Sequence, residues 1–149
     1  MSYYNALIRT HHITSRKKVS ALKRAADSLN VFALLRSGGC PGIMYIEAKD
    51  KDAVESWVSV VRNLRYKDFQ LVSRPACVVI EEDFMKVEGK QKNDAQRRGK
   101  AFLDAGLEEV ESVKEFGDLM AQRGVWQWWR KRMGMGTSGF NDKAATGLV

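Results

Sequence analysis

The chain has 149 residues, is 44% apolar and carries a formal net charge of +7 with an isoelectric point near 9.5. Those values fit one folded domain and exclude a chain disordered throughout, and two cysteines without zinc-type spacing give no sign of a disulfide framework or a structural metal. No apolar run approaches the roughly 20 residues of a membrane span, so no membrane partner is expected, while a basic surface favours polyanionic ones.

Tyr4 to Ile13 alternates with the period of a strand, placing Leu7, Arg9, His11 and Ile13 on one side. Thr14 or Ser15 then caps a helix whose apolar positions, Val19, Leu22, Ala25, Ala26 and Leu29, fall three or four apart, and Asn30 suits its exit. Val31 to Leu35 reads as a second, almost wholly apolar strand. The glycine-rich turn Gly38 to Gly42, with Pro41 inside it, leads to a third strand over Ile43 to Ala48, a hairpin signal.

Asp50 and Asp52 are both caps for a second helix, Asp52 to about Arg65, with Val54, Trp57, Val58, Val61 and Leu64 inward. Asp68 to Ser73 predicts a fourth strand, which the apolar Ala76 to Ile80 continues or flanks across the interruption at Pro75. Residues 81–100 are dense in charge and read as a solvated loop. Ser112 caps an amphipathic helix with Val113, Phe116, Leu119 and Met120 inward, punctuated at Gly124 and followed by Val125 to Met133. Residues 134–149 read as a flexible tail.

The order βαββαβ predicts an α+β, ferredoxin-like antiparallel sheet with both helices on one face and an additional C-terminal helix, all in one domain over residues 1–133. The second sheet face is then open to function unless the last third covers it.

Two segments carry a family resemblance: His11-His12-Ile13 followed by Ser15, Lys17 and Lys18, and Cys40-Pro41-Gly42-Ile43-Met44-Tyr45-Ile46-Glu47. Together they resemble the C-terminal domain that follows RWD domains in a group of eukaryotic proteins and is shared by the spliceosomal pre-mRNA-processing factor Prp-three. Members show a His-His-Ile element before a basic helix start, then a Gly-x-Pro-Gly turn leading to a strand that ends in Glu-Gly. The chain departs from that pattern at Ala48, which stands where the family has glycine, and in its charged insertion over residues 81–100. The resemblance implies a ferredoxin-like fold and an RNA-binding role within a ribonucleoprotein.

The basic residues point the same way. Arg9 and His11 share a strand face, His12 adjoins them, Arg16, Lys17 and Lys18 open the first helix, and Arg36 precedes the glycine turn. Cations there suit phosphates. Tyr45 is read as a base-stacking ring on the third strand if the sheet is open, with packing under a helix as the other reading. In the C-terminal helix Trp129 is expected inward, leaving Trp126 and Arg130 as candidates for a protein partner.

An enzyme is not expected. His11 and His12 on one strand would point to opposite faces, no nucleophile or phosphate-loop motif is present, and no Cys and His arrangement can be assembled from spacing. The sequence therefore predicts a non-enzymatic RNA-binding module without cofactor or metal. The alternative is a protein-interaction module docking through the Trp-bearing helix or a sheet edge. A nuclear or cytoplasmic location is expected, with a mitochondrial one as the alternative because no acidic residue precedes Asp27.

Overall fold

The structure, a computed structural model, describes residues 3–81 and 105–134. The expected charged loop lies almost wholly outside these residues, as does the expected tail after Gly134. Within them the chain forms a mixed α+β fold of five strands and four helices: β1 (Tyr4–Thr10), α1 (Arg16–Leu29), β2 (Phe32–Arg36), β3 (Gly42–Ala48), α2 (Lys51–Asn63), β4 (Gln70–Cys77), β5 (Gly106–Val110), α3 (Val113–Gln122) and α4 (Trp126–Met133).

Local chemistry sets most boundaries. The Ser15 hydroxyl accepts from the Lys18 N–H at 3.2 Å, and Asn30 ends α1 in the left-handed region at φ 59°. Asp50 caps α2 by accepting from the Asp52 N–H at 3.0 Å. Ser112 and Glu115 form a reciprocal capping box at the start of α3. α4 takes its cap from far away: the Glu81 carboxylate accepts from the N–H groups of Gln127 and Trp128 at 3.0 and 2.8 Å.

The strands lie in the order β4-β1-β3-β2-β5. The first four pair antiparallel, whereas β5 runs parallel to β2, so the expected antiparallel sheet is a mixed one. β5 was absent from the sequence reading, and the single expected C-terminal helix is a pair, broken at Gly124 with φ 78°. Both sheet edges resist further strands. β4 carries Pro75 and two register shifts against β1, and β5 carries the acidic pair Glu108 and Glu109.

Two cores flank the sheet. On one side Ala6, Ile8, Ala33, Leu35, Met44 and Ile46 pack against Val19, Leu22 and Ala26 of α1 and Val54, Trp57 and Val61 of α2. The Trp57 indole N–H donates to the Leu22 carbonyl at 3.1 Å, tying the helices together. On the other side Leu7, Phe32, Leu34, Ile43 and Tyr45 meet Phe116 and Met120 of α3, Val125, and Trp129 of α4. β2 and β3 are buried on both faces, which explains their near-continuous apolar runs.

The second core contains charge. Asn5, Glu47 and Phe32 form one row across β1, β3 and β2, and Arg123 descends onto it from the α3–α4 turn. Its guanidinium lies 3.7 Å from the Phe32 ring centre, and its Nε donates to Glu47 Oε1 at 3.3 Å. Glu47 and Arg123 are 2% and 4% exposed, so each charge depends on the other for solvation. The Tyr45 hydroxyl donates to Glu47 and accepts from Asn5 Nδ2, at 3.2 Å in the second case. Burial, followed by the neighbouring Glu47 charge, holds that hydroxyl well above its usual pKa, so Tyr45 stays a neutral donor.

Removing one partner strands the other charge, at about 3–5 kcal/mol. Arg123→Met alone should therefore unfold at markedly lower denaturant. Combining it with Glu47→Leu should recover most of the loss, and a double-mutant cycle by chemical denaturation measures the coupling.

Candidate functional site

At one end of the sheet β1 finishes while β3 and β4 begin, and α1 starts where α2 has just ended. Three connections meet there. The His11 N–H donates to the Lys67 carbonyl at 2.9 Å, and the Gly42 N–H donates to the His11 carbonyl at 3.2 Å. His11 is thus clamped between the β2–β3 turn and the α2–β4 turn. Glycine is required at 42, since a Cβ would stand 2.4 Å from Thr10 Oγ1 and 2.6 Å from Ile13 Cγ1.

This convergence gathers exposed cations. Arg9, next to last in β1, is exposed, Lys17 is exposed on the first turn of α1, and Lys18 Nζ lies 4.9 Å from the centre of the Tyr66 ring. Burial pushes the Tyr66 hydroxyl up to about 12, so it stays uncharged beside them. Arg65 and Lys67 flank Tyr66 and are exposed. Both were missed in the sequence reading. The available signal was their place in a short connection whose ends the fold fixes.

The eight predicted RNA-binding residues divide. Arg9, His11, His12, Lys17 and Lys18 lie at this end. Arg16 is exposed but forms a two-pronged pair with Glu109, its Nη1 and Nη2 donating at 3.1 and 2.7 Å. That hydrogen bonding holds the Glu109 carboxyl below the usual range against a partial opposing effect of burial, so much of the Arg16 charge is spent at β5.

Arg36 is a strut. Its Nε donates to the Glu111 carbonyl at 2.9 Å and its Nη1 to the Pro41 carbonyl at 3.0 Å, fastening the glycine turn to the end of β5. Tyr45 is fully buried, with Trp128 edge-on at 5.8 Å between ring centres, so it offers no face to a base. The open-platform reading is overturned because α3 and α4 cover that face.

The histidines also differ from expectation. β1 stops at Thr10, one residue before the pair, and the chain bends there. The two rings therefore meet edge-on with centres 4.1 Å apart instead of pointing to opposite faces. His11 Nδ1 lies 3.7 Å from Cys40 Sγ and 3.4 Å from Asp68 Oδ2, so the fold assembles a Cys and His group that spacing did not reveal.

The partner-binding candidates sit on α4, outside this end. Trp126 and Arg130 are half-buried, with the guanidinium 4.8 Å from the Trp126 ring centre. Trp129 is buried and stacks on Phe116 at 5.6 Å, as expected of the inward residue. Compared with protein-family models and with curated proteins, the chain matches none.

Because Arg36 acts within the fold, Arg36→Ala should free the 37–42 turn and lower stability by about 1–2 kcal/mol, the scale of two charge-assisted hydrogen bonds at a partly exposed site. Faster amide exchange at Ser37 would check it directly, since Ser37 donates to the Val110 carbonyl at 2.9 Å.

Proposed function

We propose that the chain is a non-enzymatic RNA-binding module that holds the sugar-phosphate backbone at the basic end of its sheet. The observation that carries this reading is the convergence of Arg9, His12, Lys17, Lys18, Arg65 and Lys67, from the last residues of β1, the β1–α1 connection, the first turn of α1 and the α2–β4 connection, on one end of the sheet. With α3 and α4 over the second sheet face, recognition rests on phosphate charge and helix shape instead of on stacked bases. The net charge of +7 adds long-range attraction.

We read β1 to β4 with α1 and α2 as a ferredoxin-like unit, extended by β5, α3 and α4. The order β4-β1-β3-β2 and the shared core of the two helices support that reading. The same reading accords with the resemblance to the domain shared by RWD-containing proteins and Prp-three. Among the described residues no helix is long and apolar enough to cross a membrane.

A protein contact within a ribonucleoprotein falls to Trp126 and Arg130, whose stacked side chains are half-exposed on α4. Strand addition is the weaker docking mode, given Pro75 and the register shifts on one edge and the acidic pair on the other.

Fluorescence anisotropy with an RNA hairpin across a salt series tests the proposal. Log affinity should fall linearly with log salt, by about 0.9 per phosphate neutralised on a duplex, and Lys17→Ala and Lys67→Ala should each flatten the slope by about one contact. Trp126→Ala should leave RNA affinity unchanged. A salt-independent affinity, or one lost only with Trp126→Ala, would overturn the assignment in favour of the protein-interaction reading.

A further inference from the structure

We propose that His11, His12 and Cys40, with Asp68 drawn in from the neighbouring turn as the fourth ligand, form a binding site for a zinc-class divalent cation that staples the three connections at the basic end of the sheet. Among the described residues, His11, His12 and Cys40 are the group of metal-ligating side chains whose donor atoms all lie within 4.8 Å of one another. They come from two separate connections, β1–α1 and β2–β3. Asp68, from a third, lines the same pocket as His11 and Cys40 and lies beside His11, but stands outside that mutually close group.

The two distances that His11 Nδ1 makes match edges of a tetrahedral shell. Bonds of about 2.0–2.1 Å to nitrogen or oxygen and about 2.3 Å to sulfur imply donor–donor edges of about 3.4 Å for N to O and about 3.6 Å for N to S. His11 Nδ1 stands 3.4 Å from Asp68 Oδ2 and 3.7 Å from Cys40 Sγ. One cation between them would therefore need little rearrangement of these two pairs. A thiolate with two imidazoles and a carboxylate selects zinc over magnesium or calcium, which take oxygen shells.

The backbone is already set for it. His11 is held on one side by the Lys67 carbonyl and on the other by the Gly42 N–H, each adjoining a ligand-bearing turn. The Thr10 hydroxyl donates to the His12 carbonyl at 3.4 Å, steadying the bend that brings the rings together. Asp68 adopts φ 57°, a left-handed conformation that costs free energy and directs this turn. With Asp68 drawn in, four protein ligands leave no open position, so the cation would serve structure. Arg9 lines the same pocket, and its charge sets the affinity below that of an all-cysteine site.

Cys77 lies near the opposite end of β1, beside Tyr4, and with only two cysteines in the chain a Cys77→Ser protein reports Cys40 alone. Cobalt(II) should be titrated into the tag-free full chain under reducing conditions, without RNA, so that failure here leaves the RNA assignment untouched. One equivalent should give a thiolate-to-cobalt charge-transfer band and the intense visible bands of a tetrahedral centre. Zinc should displace both.

Cys77→Ser should retain these bands, whereas Cys40→Ser should lose the charge-transfer band while keeping its far-ultraviolet circular dichroism. His12→Ala and Asp68→Asn should each weaken binding by at least roughly tenfold, the lower end of what losing even an outer metal partner costs. Zinc should raise the melting temperature of Cys77→Ser but not of Cys40→Ser. No charge-transfer band in the unmodified chain, or one that survives Cys40→Ser, would overturn the site.

Discussion

The Arg123–Glu47 pair, stacked on Phe32 and capped by Tyr45, is the interaction on which the arrangement of the whole molecule depends. It fastens the α3–α4 turn to the middle strand of the sheet at a point where neither charge reaches water. An apolar contact could have closed this face in several registers. A buried ion pair with directional donors admits one, because any slip leaves a desolvated charge behind. With that face closed, the sheet becomes an internal layer, and the proposed binding surface moves to its rim.

At the rim, the same backbone geometry that ends the strands builds the candidate surface. Gly42 lets β3 begin in contact with Thr10 and Ile13, and His11 bridges the β2–β3 and α2–β4 turns through its own peptide groups. Side chains of Lys17, Lys18, Arg65 and Lys67 then project from the first turn of α1 and from the α2–β4 connection, whose ends cannot move independently. A binding surface carried on loops becomes rigid without being buried. The proposed cation would add a covalent-strength link between turns that the backbone already holds in place.

Where the physics was local, it was legible in the sequence. Ser15, Asn30, Asp50 and Ser112 act within a few residues of themselves, and each takes the capping role its side chain predicts. Periodicity likewise identified the inward stripes of α1, α2 and α3. What escaped were contacts across long separations. β5 is five residues with two adjacent glutamates, and only pairing with β2, some seventy positions earlier, makes it a strand. Tyr45 could not be assigned because both faces of β3 are apolar, so alternation did not say which one was covered. Arg36 reads as a phosphate contact and Glu81 as part of a solvated loop until their partners, Glu111 and the start of α4, come beside them. The histidine pair was misjudged by a single strand boundary.

The central claim is that RNA meets the end of the sheet and not the face covered by α3 and α4. Hydrogen exchange followed by mass spectrometry, with and without a saturating RNA hairpin, tests it most directly, because it reports every segment in one measurement. Slower exchange confined to residues 9–18 and 65–68, with α4 unchanged, is the predicted result. Protection that falls on residues 113–133 while the β1–α1 and α2–β4 connections stay as they were would contradict it.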